Sequence, residues 1–481
     1  KIGLPFNNIE SGIKGYYNHR SLKLNQENRI LEWGSDADIS YVFSKKGRAT
    51  YVNSYQQIFF GDTLQKHLLP YSESMTHKVT IDYKKPTFTL GINASLRNKN
   101  ISAFFEQLDK NKHAMYFPEK YINPEFSDSK SLIYSHKITY RPKSKLTSFK
   151  MEFHLSNEQS ALKEAVYRRV EKGFGQFRKD SVQNIYVADP IAGDYVRFIL
   201  PTGEFEPVTK IKSSIAFRLR PKYSKLTFLK PFDLQTKIKI LEENKDSFSF
   251  KYLLFTPSKY LNSGTRNGLF DFEQMLYFNR GKKSYNGHVS YKRTERVVRT
   301  FVADVEGKNM YSKKHQTRFN QYYSIYKTIS GLTEFSFIKQ GIRSEKAEFS
   351  REIISRSLAQ SFVYTFANMS RNQLVFEYNN DSEREVNLRL FGIRNKTDLI
   401  VNEDTFFHAS IHVSRVIQKK GNRLPYELVQ GKRPGLNRQW QLSASYRVMS
   451  DSILSLRYIG RNEVTDPQTF HTGQLEFRMV F

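Results

Sequence analysis

Apolar and polar residues alternate along most of this chain, in runs separated by turn residues. Phe88, Leu90, Ile92, Ala94 and Leu96 oppose Asn93, Ser95 and Arg97. Phe149, Met151, Phe153 and Leu155 oppose Lys150, Glu152 and His154, and Phe248, Phe250, Tyr252 and Leu254 oppose Ser249 and Lys251. Further on, Val386, Leu388 and Leu390 form an outward set against Glu385, Asn387 and Arg389. Phe407, Ala409, Ile411 and Val413 alternate with His408, Ser410, His412 and Ser414, and Trp440, Leu442, Ala444, Tyr446 and Val448 with Gln441, Ser443, Ser445 and Arg447. A period of two marks a strand, because successive side chains point to opposite faces of a sheet. The pattern predicts closely spaced strands at 360–369, 372–380, 384–392, 405–416, 438–449, 452–460 and 473–481, as an up-and-down meander requires. Residues 342–359 fit either periodicity and read as strand from their context.

A soluble sandwich would send the Arg, Lys and Glu positions to solvent. A membrane barrel sends them into a water-filled lumen and presents the apolar face to lipid. Length separates the two. A membrane strand needs about 9 to 11 residues at a tilt of about 45°, the size of many runs here, whereas ordinary strands are nearer 5 or 6. The expected fold is all-β, a large antiparallel transmembrane up-and-down β-barrel of roughly 20 to 24 strands. It occupies 1–481 as a single barrel, with long loop insertions containing short helices.

The last strand sharpens this. Leu475, Phe477, Met479 and Phe481 occupy alternate positions, with Gly473 where another apolar residue would continue the series. This ending resembles the C-terminal strand of outer-membrane β-barrel proteins of Gram-negative bacteria. The resemblance implies an outer-membrane location and an insertion signal, Leu475, Phe477, Met479 and Phe481, read by the barrel-insertion machinery. An N-terminal plug resembling that of TonB-dependent receptors is not apparent.

Composition agrees. No run of 18 or more apolar residues occurs, which excludes a transmembrane helix, and 39% hydrophobic residues is low for a helical membrane protein. The 38 Phe and 29 Tyr against 2 Trp suit interfacial girdles as well as ordinary strand propensity. Cysteine is absent, which removes disulfides, thiolate metal sites and thiol catalysis and suits passage through an oxidising periplasm. The chain begins at Lys1 with no apolar leader, as after removal of a signal peptide or as part of a longer polypeptide.

Charge is the least expected property. Lys plus Arg number 76 against 47 acidic residues, a net +29. Such a balance first suggests phosphate neutralisation on nucleic acid, and a soluble basic β protein is one alternative. The basic pairs, such as Lys45 and Lys46, Lys282 and Lys283, or Lys419 and Lys420, instead sit beside turns, and no nucleic-acid motif accompanies them. In a barrel, basic strand ends would meet outer-membrane lipid and lipopolysaccharide phosphates, and a basic lumen would favour anionic solutes. Solvated loop charge explains the same residues equally well.

Two segments interrupt the strands. In the 101–130 insertion, Phe104, Phe105 and Leu108 predict a helix over Ala103–Lys112. In the 156–211 insertion, Ser156 or Asn157 could cap a helix over Glu158–Lys172 that stops at Gly173. Beyond it lie turns containing Asp189, Gly193, Asp194 and Tyr195, then Glu204 and Phe205, the candidate residues of a plug or partner-binding loop. Asp189, Asp194, Glu204 and Glu206 lack EF-hand spacing, so no metal is assigned.

Catalytic motifs are missing. Gly281-Lys282-Lys283-Ser284 lacks the upstream glycine of a P-loop, and no G-x-S-x-G elbow occurs. His408 and His412, about 13 Å apart on a strand, cannot share a metal. No cofactor and no enzymatic activity are expected. Two functions remain: a channel or transport component with a polar, basic lumen, or a non-conducting scaffold or translocon subunit whose loops bind other envelope proteins.

Overall fold

The alternation folds as strand. The computed structural model describes residues 9–21, 29–61, 68–103, 129–180, 185–223, 225–245, 260–302, 308–366, 370–384, 386–420, 428–449, 451–463 and 466–479. The chain forms two compact units. One holds residues Lys1–Leu162, Gly203–Arg218 and Ile238–Gly268, the other Lys163–Thr202, Leu219–Lys237 and Leu269–Phe481.

The first unit contains β1 (Ile9–Ser21), β2 (Arg29–Ser44), β3 (Gly47–Gly61), β4 (Leu68–Lys85), β5 (Phe88–Ile101), β6 (Ser129–Tyr140) and the start of β7 (Thr147–Arg169). Each pairs antiparallel with the next. The register aligns Ile39, Tyr51, Val79, Ala94 and Tyr134 in one row across five strands. Such a row forms only when the apolar parity of every strand points to the same face. Residues 45–46 and 86–87 are tight turns, and residues 141–146 join β6 to β7. Phe153 and Leu155, expected on the lipid side, are buried instead.

The predicted helix over 158–172 does not form, and most of 156–211 is strand rather than loop. β7 runs on through Arg169, followed by β8 (Gly175–Asp180), β9 (Ile185–Gly193) and β10 (Tyr195–Leu219). Ala161, Leu162, Lys163, Glu164 and Ala165 are good helix formers. Pairing of β7 with β10 overrides that preference, supported by side-chain bonds from Ser213 to the Glu152 carbonyl and from Thr209 to Asn157. β11 (Phe232–Asn244) and β12 (Thr265–Phe278) follow. Among the described residues the short helices are three-residue 3-10 turns at 221–223, 227–229 and 347–349, while 428–431 is a turn whose Val429 and Gln430 are left-handed. The helix expected over Ala103–Lys112 falls almost entirely outside the described residues.

The second unit carries β13 (Tyr285–Val298), β14 (Met310–Tyr326), β15 (Ile329–Ser344), β16 (Arg351–Thr365), β17 (Arg371–Glu383), β18 (Val386–Ile400), β19 (Thr405–Lys420), β20 (Gly435–Met449), β21 (Ser452–Glu463) and β22 (Asp466–Met479). They form an uninterrupted antiparallel meander. The ambiguous 342–359 segment is strand on both sides of the 347–349 turn. These strands have 12 to 17 residues, long enough to cross a bilayer. Among the described residues no helix is long and apolar enough to do so.

One row fixes the two faces. Val289, Phe319, Phe335, Leu358, Tyr378 and Phe391 are successive cross-strand partners from β13 to β18. Five of the six are exposed, and Tyr378 packs its ring 5.0 Å from that of Phe391. Soluble proteins rarely expose so long an apolar ridge. The opposite face carries Lys292, Lys314, Arg318, Ser355, Glu377, Arg394 and His412. β18 corrects the expected parity. Leu388 and Leu390 lie on the polar face, 1% and 0% exposed, while Phe391 and Ile393 point outward. At this end the outward positions are Asn387 and Arg389, so the apolar set of the strand turns inward, where Leu428 and Val429 cover it.

Candidate functional site

The polar face of the second unit holds a charge cluster roofed by a folded-in connector. On β17 the odd positions Glu377 and Asp381 face this side, on β18 the even position Arg394, and on β19 His412 and Ser414. Glu377 accepts a short hydrogen bond from His412 Nε2, and ion pairs reach it from Arg394 at 3.4 Å and Lys432 at 3.8 Å. Lys432 also donates to Ser414 at 3.0 Å. Gly392, the cross-strand partner of Glu377, leaves room for this carboxylate: a Cβ there would stand 2.7 Å from Glu377 Cγ.

Lys432 comes from the β19–β20 connector, which turns back over the sheet. Leu428 and Val429 are fully buried against Ile353, Leu388, Leu390 and Val416. Val429 and Gln430 both have positive φ, at 45° and 63°. A β-branched residue there is strained by roughly 1–3 kcal/mol and persists only when its surroundings hold it. The hold is visible: the Val429 amide donates to Asp381 Oδ2 at 2.6 Å, and Ser355 Oγ donates to Asp381 Oδ1 at 2.6 Å. Below the roof, Arg394, His412, Ser414, Lys432, Gln439 and Arg461 line a cleft of roughly 250 Å³. Toward the tight-turn end, Asp398 bonds both Arg371 and His408 at 2.6 Å.

A second device borders the meander. Within the same unit, Lys163 pairs with Phe301 as an isolated parallel bridge and its amide donates to the Thr300 carbonyl at 3.0 Å. Asp189 is buried in β9, with Arg433 Nη2 3.4 Å from each of its carboxylate oxygens. Lys308 lies over the Phe177 ring at 5.8 Å. Residues 163–202 are thus tied to the β13–β14 and β19–β20 connectors.

The residues expected in a plug or partner loop have ordinary partners. Gly193 is buried where a Cβ would meet the Phe177 backbone, and Asp194 pairs with Arg169 at 3.6 Å. Tyr195 packs edge-on to Tyr186, which stacks on Tyr167 at 3.9 Å. Glu204 and Phe205 lie in β10, with side chains outside the described residues. Glu206 meets Arg266 and Lys245. Asp189, Asp194 and Glu206 therefore face cations, and among the described residues no group of His, Asp and Glu could hold a metal. His408 and His412 serve separate carboxylates. Leu475, Phe477 and Met479 are exposed on one face of β22, opposite Leu456, Leu454 and Ser452, while Phe481 lies outside the described residues.

Sequence reasoning missed Glu377, Asp381, Arg394 and Lys432. The first three had a signal: each is a charged position inside an alternating strand, on the side away from Phe376, Tyr378 or Phe391. Lys432 had none.

Comparison with protein-family models and with curated proteins finds no match. Among solved structures, the chain is similar to the alcaligin outer-membrane receptor FauA from Bordetella pertussis, at 9% identity over 98% of this chain and 71% of that one, TM-score 0.40. It is also similar to the siderophore receptor PirA from Acinetobacter baumannii, at 6% identity over 98% and 73%, TM-score 0.38. A third is the copper transporter OprC, at 8% identity over 98% and 75%, TM-score 0.38. The chain itself is all-β, its described strands pairing antiparallel in sequence order over β1–β7 and again over β13–β22.

Proposed function

We propose that this chain is a transmembrane barrel of a Gram-negative outer membrane and acts in transport, its polar face lining the solute path. The single observation that carries the reading is the exposed row from Val289 to Phe391, backed by charged residues on the opposite face. Lipid accepts the first face and water the second. Leu475, Phe477, Met479 and Phe481 then act as the signal for insertion, and removing the Phe481 ring should slow assembly into the membrane. Outer-membrane lipid and lipopolysaccharide surround the barrel.

A second reading, the non-conducting scaffold, draws on the connector buried on the polar face and the tied-down 163–202 segment, which would narrow a path or present a docking surface. Planar-bilayer conductance of the purified chain separates the two. Stable, anion-preferring steps support transport. No conductance, with stoichiometric co-purifying envelope proteins, supports the scaffold.

A further inference from the structure

The basic cleft beneath the β19–β20 connector has the geometry of a ligand site. Its floor is a row of direct cross-strand partners on the polar face, Arg394, His412, Gln439 and Arg461, spanning β18 to β21. Neighbouring strands lie about 4.8 Å apart, so the two arginines stand on backbones about 14 Å apart, and both side chains are long enough to converge on one bound molecule between them. The roof is Gln430, Gly431 and Lys432, held in place by the Val429–Asp381 bond and the buried Leu428. Arg461 is oriented across the Phe470 ring at 5.1 Å.

Charge gives the class of ligand. Arg394, Lys432 and Arg461 line the cleft from the polar face, and none of its described lining residues is acidic. Glu377, at the edge, is shared by Arg394, His412 and Lys432, so one carboxylate faces two fixed cations. Arginine forks match oxyanions, and donors in a partly enclosed site act more strongly than in open water. Neutral donors, Gln439, Asn437 and Ser414, complete the lining.

We propose that this cleft binds a small oxyanion with two or more negative charges, of the diphosphate or polycarboxylate kind. The site rests on the reading of the polar face as a solute path and names the class of solute that pauses there.

The test is isothermal titration of the detergent-purified chain with inorganic pyrophosphate at low and high salt. One saturable site that weakens with salt is expected. The double variant Arg394→Gln, Arg461→Gln should lose affinity by at least about tenfold, since charged hydrogen bonds contribute strongly. Arg371→Gln, on the same face beside Asp398, should bind as the parent does. Because Arg394 also pairs with Glu377, Gln439→Glu is a second variant: it removes no member of an existing ion pair, places a negative charge on the floor and should abolish binding. Absence of saturable binding, or binding indifferent to both the arginine pair and Gln439→Glu, would overturn the proposal. Pyrophosphate binding by a chain that carries no current would reject the transport reading and keep the site. Conductance without binding would do the reverse.

Discussion

The Val429 amide donates a 2.6 Å hydrogen bond to the buried carboxylate of Asp381, forty-eight residues earlier in the chain. This contact holds a loop residue at φ 45° and keeps the β19–β20 connector on the polar wall. Asp381→Ala strands the Val429 N–H and the Ser355 hydroxyl together. It should destabilise the roof by about 1–3 kcal/mol, whereas Asp381→Asn, which still offers an acceptor, should cost less. Amide hydrogen exchange at residues 428–432 checks this, with the fastest exchange expected in Asp381→Ala.

Asp189 and Arg433 tie the 163–202 segment to the same connector. Arg433→Gln or Asp189→Asn should loosen it, and the exchange Asp189→Arg with Arg433→Asp should restore part of the tie. Limited chymotrypsin digestion reads the effect as cleavage after Tyr186 and Tyr195, several-fold faster in either single variant if the pair contributes about 1 kcal/mol.

Gly392 gives Glu377 its space. Gly392→Ala should push the carboxylate away from His412 and Arg394 and cost about 1–3 kcal/mol by overpacking. The midpoint of heat-modifiable gel migration should fall, and Gly341→Ala, where nothing lies within 4 Å of the added methyl, should leave it unchanged.

Much of this was readable in the residues. Phe407, Ile411 and Val413 against His408, His412 and Ser414 assigned both faces of β19 correctly, because only one face there is apolar. Leu388 misled although Val386, Leu388 and Leu390 alternate with Asn387 and Arg389 just as regularly. It belongs to an inner apolar patch covered by Leu428 and Val429, and a roof contributed by a connector forty residues away leaves no mark on the alternation of β18 itself. The helix expected over 158–172 followed from a cap at Ser156 or Asn157, the one-sided spacing of Leu162, Ala165, Val166 and Val170, and Gly173 as a stop. Local preference of a few tenths of a kcal/mol per residue yields to a ladder partner that only the fold supplies. Lys432 follows the same rule: a lysine in a connector looks like solvated charge until the turn at Val429 aims it at Glu377.

The two faces differ in their tolerance of charge. Leu358→Lys, in the middle of the exposed row, should destabilise the membrane-inserted chain by about 2–4 kcal/mol, while Ser357→Lys, on the polar face next to it, should be nearly neutral. Denaturant unfolding in liposomes measures both.

The central claim is that alternate residues of one strand meet lipid and water. The chain has no cysteine, so single-cysteine variants of β16 can be spin-labelled without background. Labels at Leu358, Gln360 and Phe362 and at Ser357, Ala359 and Ser361 would be compared in liposomes by their collisions with oxygen, which concentrates in lipid, and with a hydrophilic nickel chelate. The account predicts a strict period of two, with the even positions favouring oxygen and the odd positions the chelate. Equal chelate access at all six, or no alternation, would contradict it.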